Sequence, residues 1–327
     1  MIERRQWLTA LGALVLGAPY ASFAQQNPGR IFRIGWLGTG SGSVDNEFLD
    51  DLRNALRDLG RNPKSIVFER RDAEFRPVRL PALAAELVAL KPDVIIAGAT
   101  PGTRAAREAT STIPIVMIGV ADPVGAGFVD TLARPGGNVT GVANRGLDMA
   151  AKPLDLLHAV VPKAMRVGVL HTTNPMHPAI TRELEMAGKA YGLTMIPVKL
   201  GAPDEIDNAF ALMTKERAQA LVVVDDSVTI THGKRIAELA AQLRLPTIYS
   251  YAIQVEAGGL MSYGPNPRNL HKVVARYVDR ILKGAKPADL PVEQPSEFEL
   301  VLNLKAAKAL GLTFPKETLL RADRTLE

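Results

Sequence analysis

Cysteine is absent from the 327 residues. That excludes disulfides, thiolate metal sites, a cysteine nucleophile and a lipid-modified N-terminal cysteine, and it suits export to an oxidising space. Aromatic residues make up only 5% of the chain and the net charge is only +5. Setting aside Met1–Ala24, with Glu3, Arg4 and Arg5, leaves +4. There is no basic run with interleaved aromatics, so no nucleic-acid partner is expected. The chain carries neither a G-x-x-x-x-G-K-[ST] phosphate loop nor a G-x-S-x-G nucleophile elbow. Its five histidines, His158, His171, His177, His232 and His271, lack metal-ligand spacing, and His171 with His177 reads as loop polarity. An enzyme is therefore not expected, nor a cofactor.

What is present is a chain rich enough in apolar residues, 47% of the total, to bury two domain cores. Met1–Ala24 reads as a secretory signal, with Arg4-Arg5, a modest apolar run from Leu8 to Leu16, and Ser22-Phe23-Ala24 before a cleavage point at Gln25. The run is far short of the roughly 20 residues that span a bilayer. Arg4-Arg5-Gln6-Trp7-Leu8 is similar to a twin-arginine signal but lacks the flanking Ser and Lys, so a twin-arginine and a Sec route both stay open.

The remainder is organised around Lys91–Gly125. Val94-Ile95-Ile96-Ala97 is a β-branched run without alternation, the pattern of a parallel strand covered on both faces. After Gly98 and Ala99, the residues Thr100, Pro101, Gly102 and Thr103 open a helix placed from about Arg104 to Ala109, and Ile113–Val120 forms the next strand, ending at Asp122-Pro123. The same order recurs later. Ala220–Val224 ends in Asp225-Asp226-Ser227, a helix follows from about His232 to Gln242, and Pro246 opens a strand to Tyr249. Arg33–Thr39 likewise matches Arg166–Thr172. Three pairs in one order, at offsets of 133, 127 and 132 residues, predict two lobes of like topology.

In open α/β sheets ligands bind beyond the carboxyl ends of the strands. That rule nominates Gly38, Thr39, Ala99, Thr100, Thr103, Asp122 and Pro123 on the first rim. On the second it nominates Thr172, Asn174, Asp225, Asp226 and Ser227, with Tyr249 and Tyr263 as aromatic walls. For each Thr and Asp, helix capping competes with ligand contact. Gly38-Thr39-Gly40 is half of a dinucleotide fingerprint. However, Ser43 stands where the third glycine belongs, and no acidic residue closes the strand expected at Ser65–Phe68, so a nicotinamide site is not expected. Glycines and prolines near 142–146, at Gly264-Pro265 and through Lys286–Pro295 predict three crossings between the lobes. The first lobe would hold 31–142 with 265–288, and the second 143–264 with 295–327.

The segments Ala82–Thr103, Ile113–Gly141, Gly258–Asn266, Tyr277–Pro295 and Phe298–Leu312 together closely resemble the periplasmic solute-binding proteins of ABC importers, in the type I, tryptophan-binding-like family. The resemblance implies an α/β fold of two doubly wound Rossmann-like lobes joined by a three-segment hinge. It also implies a monomer that traps a small-molecule solute and presents it to an ABC permease, with amino acids or related small organic acids as the solute class. A solute carboxylate would sit at the helix start near Thr100–Thr103, and an ammonium would face Asp122, Asp225 or Asp226. A periplasmic sensor serving a signalling partner fits the same resemblance. A DNA-binding regulator of similar fold would carry a helix-turn-helix where this chain has the leader.

Overall fold

The computed structural model describes residues 30–327 apart from Gly42, Gly146, Asp148, Pro267 and Arg268. The expected leader, and Gly146 of the first crossing, lie outside the described residues.

The first lobe is a five-stranded parallel sheet of β1 (Phe32–Gly38), β2 (Ile66–Asp72), β3 (Val94–Gly98), β4 (Ile115–Val120) and β5 (Val139–Ala143), in the order β2-β1-β3-β4-β5. Its connecting helices are α1 (Ser43–Asp58), α2 (Leu80–Ala89) and α3 (Ala99–Ala109). Alternate residues of each strand feed opposite faces. Ile95, Ala97 and Met117 join one apolar cluster, while Val94, Ile96 and Val116 join another. The unbroken β-branched runs of the sequence follow from this double coverage.

The second lobe contains α4 (Ala151–Val160), β6 (Arg166–Thr172), α5 (His177–Ala190), β7 (Thr194–Leu200), α6 (Ile206–Lys215), β8 (Ala220–Val223), α7 (Ser227–Thr231), α8 (Gly233–Gln242), β9 (Thr247–Tyr249), α9 (Ala252–Glu256) and β10 (Met261–Pro265). The chain then returns to the first lobe as α10 (Leu270–Leu282), which packs on α1, β3, β4 and β5. It crosses back and finishes with β11 (Phe298–Asn303), α11 (Leu304–Leu310), α12 (Lys316–Leu320) and β12 (Arg324–Leu326). The second sheet runs β7-β6-β8-β9-β10 and then β11-β12, with β11 antiparallel to β10. Its first five positions repeat the topology of the first sheet.

The repeat extends to atomic detail. The amide of Arg33 donates to Asp93 Oδ2 at 2.8 Å, and that of Arg166 donates to Gln219 Oε1 at 3.1 Å. The amides of Asp93 and Gln219 return the bond to the Arg33 and Arg166 carbonyls, each at 2.8 Å. Gly35 and Gly168 hold equivalent places. A Cβ on either would come within 3.3 Å of a side chain on the neighbouring strand, Ile95 or Leu221, and within 3.5 Å of a crossover-helix side chain, Leu87 or Met213. Each glycine lets a helix approach its sheet closely.

Two expected boundaries move by four residues or more. α3 begins at Ala99 instead of Arg104, because Ala99 takes a left-handed φ of 53° that turns the strand directly into the helix. β2 runs to Asp72, well past Phe68. Its charged end masked it: as an edge strand it carries ion pairs, Arg33–Glu69, Arg70–Asp72 and Arg71–Glu86. An acidic residue does therefore close that strand, but Asp72 accepts from Trp36 Nε1 and from Arg70 and so is committed to the protein itself. The segment expected to be extended at Lys286–Pro295 contains a 3-10 turn at Pro287–Asp289 before Glu293 bridges to Val142.

The return of α10 to the first lobe is fixed by a buried ion pair. Arg61 Nε donates to Asp279 Oδ1 at 2.7 Å, with side chains 7% and 8% exposed, and Lys283 Nζ reaches Asp279 Oδ2 at 2.6 Å. Asp279→Ala, which strands the Arg61 guanidinium, is expected to lower unfolding free energy by about 3–5 kcal/mol. Asp279→Leu combined with Arg61→Met should recover most of that loss in a denaturant titration.

Candidate functional site at the facing strand ends

The carboxyl ends of the two sheets face each other across a recess. The first lobe contributes Thr39, Phe75, Pro77, Ala99 and Pro101, and the second contributes Thr172, Thr173, Asn174, Gly201, Asp226, Ser227 and Val228. A second recess runs from Asp225 into the second lobe, between its sheet and helices α4 and α5. It is lined by apolar Ile180, Leu184, Val222, Val224 and Ile248 below a mouth of Asn144, Arg145, Ser250, Tyr251 and Tyr263. The volumes reachable by the centre of a water molecule are about 20 and 70 Å³. Both recesses are narrow.

The second-lobe rim is organised by its own hydrogen bonds. Asp226 caps α7, accepting from the Val228 amide at 3.3 Å on Oδ1, while its Oδ2 accepts from Asn174 Nδ2 at 3.3 Å. The Asn174 amide donates to Thr172 Oγ1 at 3.2 Å, and Asn174 Oδ1 accepts from the Met176 amide at 3.1 Å. Beneath them lies His177, 2% exposed. Its Nδ1 accepts from the Thr172 amide at 2.8 Å, so the proton sits on Nε2, which donates to the Asp225 carbonyl at 3.2 Å. His177 thus ties the end of β6 to the end of β8, where the sequence suggested only loop polarity.

Asp225 and Asp226 point apart, as neighbours at a strand end must. Asp225 faces the larger recess, where Ser250 Oγ donates to its Oδ1 at 3.4 Å. Burial pushes the Asp225 pKa up; Asp226 adds to the rise, while His177 and Ser250 oppose it. Burial, with the Asp225 charge nearby, also raises the Tyr251 phenol. Burial lowers the pKa of His171, against a hydrogen bond to the Thr172 carbonyl.

The first-lobe rim is built differently. Ala99 and Pro101 reach the recess, whereas Thr100, between them, is 1% exposed. Thr103 is fully buried, and its hydroxyl donates back to the Ala99 carbonyl at 2.9 Å, bracing the strained elbow. Gly38 lies buried at the strand end, its carbonyl accepting from the Ala73 amide. Asp122 Oδ1 accepts from the Gly125 amide at 2.8 Å, closing the turn after β4 around the buried Pro123. Tyr249 is 1% exposed within the second-lobe core, and burial raises its phenol pKa. Tyr263, half-buried at the mouth of the larger recess, stacks on Phe298 with ring centroids 5.7 Å apart.

The structure thus gathers Thr39, Ala99, Thr172, Asn174, Asp226 and Ser227 around one recess, and Asp225, Tyr249 and Tyr263 around the other. Sequence reasoning missed Phe75 and Gly201. Both follow strand ends, β2 and β7, so the same rim rule would have found them once β2 was read to Asp72. His177→Ala would leave the Thr172 amide without its acceptor. An unfolding titration should show a loss of about 1–3 kcal/mol.

Comparison with known proteins bears on this geometry. A model of the ABC transporter substrate binding protein family matches residues 42–326. A tyrosine-binding protein of Clostridioides difficile (strain R20291) is 28% identical over 276 residues, spanning 82% of this chain and 79% of that protein. Among solved structures, an ABC domain from Streptococcus pneumoniae in complex with L-Trp superposes with a TM-score of 0.82 at 27% identity, covering 90% of this chain and all of the other. A conserved domain protein of Vibrio cholerae gives 0.83 at 26%, with the same coverage. With two facing lobes and a family match along nearly the whole described chain, the protein belongs to the ABC transporter substrate-binding proteins, which bind solutes and do not transform them.

Proposed function

We propose that this chain captures an amino acid, or a closely related small organic acid, outside the cytoplasmic membrane and delivers it as a monomer to an ABC permease. In this reading Met1–Ala24 is a cleaved export signal and the mature protein works in the periplasm. The carrying observation is the recess to which both lobes contribute polar strand-end residues. On the first-lobe side α3 begins at the rim, and its first-turn amides have no carbonyl partner within the helix, which favours a carboxylate there. On the second-lobe side Asp225 and Asp226 supply negative charge for an ammonium, as the expected zwitterion requires. The apolar recess beside Asp225 offers room for a side chain next to that charge. The relatives named for tyrosine and crystallised with L-Trp agree with this solute class.

The hydrogen bonds separate the roles of the two carboxylates. Asp226 is already engaged with Asn174 and the start of α7, whereas Asp225 meets only the Ser250 hydroxyl among the described side-chain hydrogen bonds. Asp225 is thus the better-placed ammonium partner.

Three outcomes are expected. Melting temperature should rise when purified mature protein is mixed with L-tryptophan, L-tyrosine or another amino acid, since a solute bound only by the folded state stabilises it by mass action. Asp225 has a pKa raised on folding, so the folded state binds its proton more tightly than the unfolded state does. Its contribution to stability is best below the ordinary carboxylate value and declines as pH rises through the folded value. Asp225→Asn should therefore raise the melting temperature of solute-free protein at pH 7 and flatten its acid-side pH dependence. The same change should weaken amino-acid binding at least about tenfold, the scale of a lost charge-assisted contact. Unchanged affinity in calorimetry would remove Asp225 from the site.

A further inference from the structure

Phe75 occupies an unusual position in the first lobe. It follows β2 in a turn where Glu74 and Phe75 take successive left-handed φ values of 52° and 60°, a conformation that side-chain-bearing residues rarely adopt. The turn is pinned to the end of β1 and the loop after it by three backbone bonds, from Ala73 to Gly38, Glu74 to Gly40 and Phe75 to Thr39, each 3.0 Å. Arg79 braces it further through an ion pair to Glu74 at 2.5 Å. Such bracing fixes the direction in which the side chain leaves the backbone.

That direction is out of its own lobe. The Phe75 ring packs against the second-lobe cluster that contains Leu170, Val228 and Tyr249, and its centroid lies 5.4 Å from that of His232 at an interplanar angle of 59°. His232 sits at the junction of α7 and α8, and its Nε2 is buried without a hydrogen-bond partner. Burial lowers its pKa, which favours the neutral ring where it meets Phe75. The tilted contact is of the kind favoured by aromatic pairs.

We propose that Phe75 sets how tightly and how long a solute is held, through an interlobe contact with His232 that forms only when the cleft is shut. This rests on the reading that a solute is trapped by closure. The contact adds to the stability of the shut form whatever the solute, so it raises affinity uniformly and slows release. Phe75 also borders the recess, so its role as a positioning residue for closure is told apart from that of a wall by whether its loss affects every solute alike.

The absence of cysteine makes the test direct. Arg107→Cys and Lys215→Cys, one exposed position in each lobe, accept a pair of distance labels with no competing thiol. Solute-free protein should show a short-distance population that Phe75→Ala and His232→Ala each deplete, that Phe75→Leu depletes less, and that the double variant depletes no further. With L-tryptophan and L-tyrosine as probes, Phe75→Ala should speed release of every probe that binds by about the same factor, near tenfold. Apparent melting temperature should change little without solute, because the turn keeps its backbone bonds. The proposal is overturned if solute-free wild type shows no short-distance population, if Phe75→Ala leaves the distances unchanged, or if it weakens one probe and spares another. Should neither probe bind, the distances still decide the latch, and the amino-acid reading alone fails.

Discussion

A parallel strand can be followed by another parallel strand only if the chain leaves at one end of the sheet and returns to the other. The order β2-β1-β3-β4-β5 and its repeat β7-β6-β8-β9-β10 obey that constraint, so every loop that follows a strand is delivered to a single rim of its sheet. Place two such sheets rim to rim and loops far apart in sequence, after β1, β2, β3, β6, β7 and β8, meet around one recess. The interior of each lobe pays for this arrangement, with apolar clusters on both faces of each sheet, and leaves the rim free to be polar. The same architecture makes the chain cross between lobes repeatedly, and α10 must then be held on the lobe that the chain has already left. The Arg61–Asp279 pair supplies that anchor in a place where stranding either charge would be costly.

The two rims solve the problem of presenting polar groups in different ways. On the second lobe the side chains satisfy one another: Asp226 caps a helix and binds Asn174, Asn174 folds onto Thr172, and His177 locks the two strand ends together. On the first lobe the backbone itself is bent, at Ala99 and again at Glu74-Phe75, and neighbouring hydrogen bonds hold the bends. Preorganised side chains facing a strained backbone give a site that needs little rearrangement once its lobes approach. Asp225 departs from this pattern. It is a carboxylate placed where burial disfavours its charge.

Much of this was legible from residue patterns. The β-branched runs without alternation located the buried strands, the recurrence of Arg33–Thr39 in Arg166–Thr172 revealed the duplication, and the rule about strand ends picked out Thr39, Ala99, Asn174, Asp226 and Ser227 for the recess they do line. The same patterns failed at β2, which they end at Phe68, short of Glu69, Arg70, Arg71 and Asp72. An edge strand exposes one side to water, so its charges pair along the surface and hide the apolar signal. With that strand cut short, Phe75 lost its place at a strand end.

Sequence alone determined the class of fold, the doubling of the lobes and the addresses of the polar loops, because periodicity and turn chemistry are local properties that each segment carries by itself. Tertiary structure decided what each side chain at those addresses does. Thr103 turns back to brace a strained elbow, Asp122 closes its own turn, Tyr249 fills a core, and Phe75 reaches across to the opposite lobe. The physical reason is that a hydroxyl, a carboxylate or a ring has several partners within reach along the chain. Thr103 and Asp122 take partners within four residues, whereas Phe75 meets His232 far along the chain, and only the packed structure decides between the near partner and the distant one.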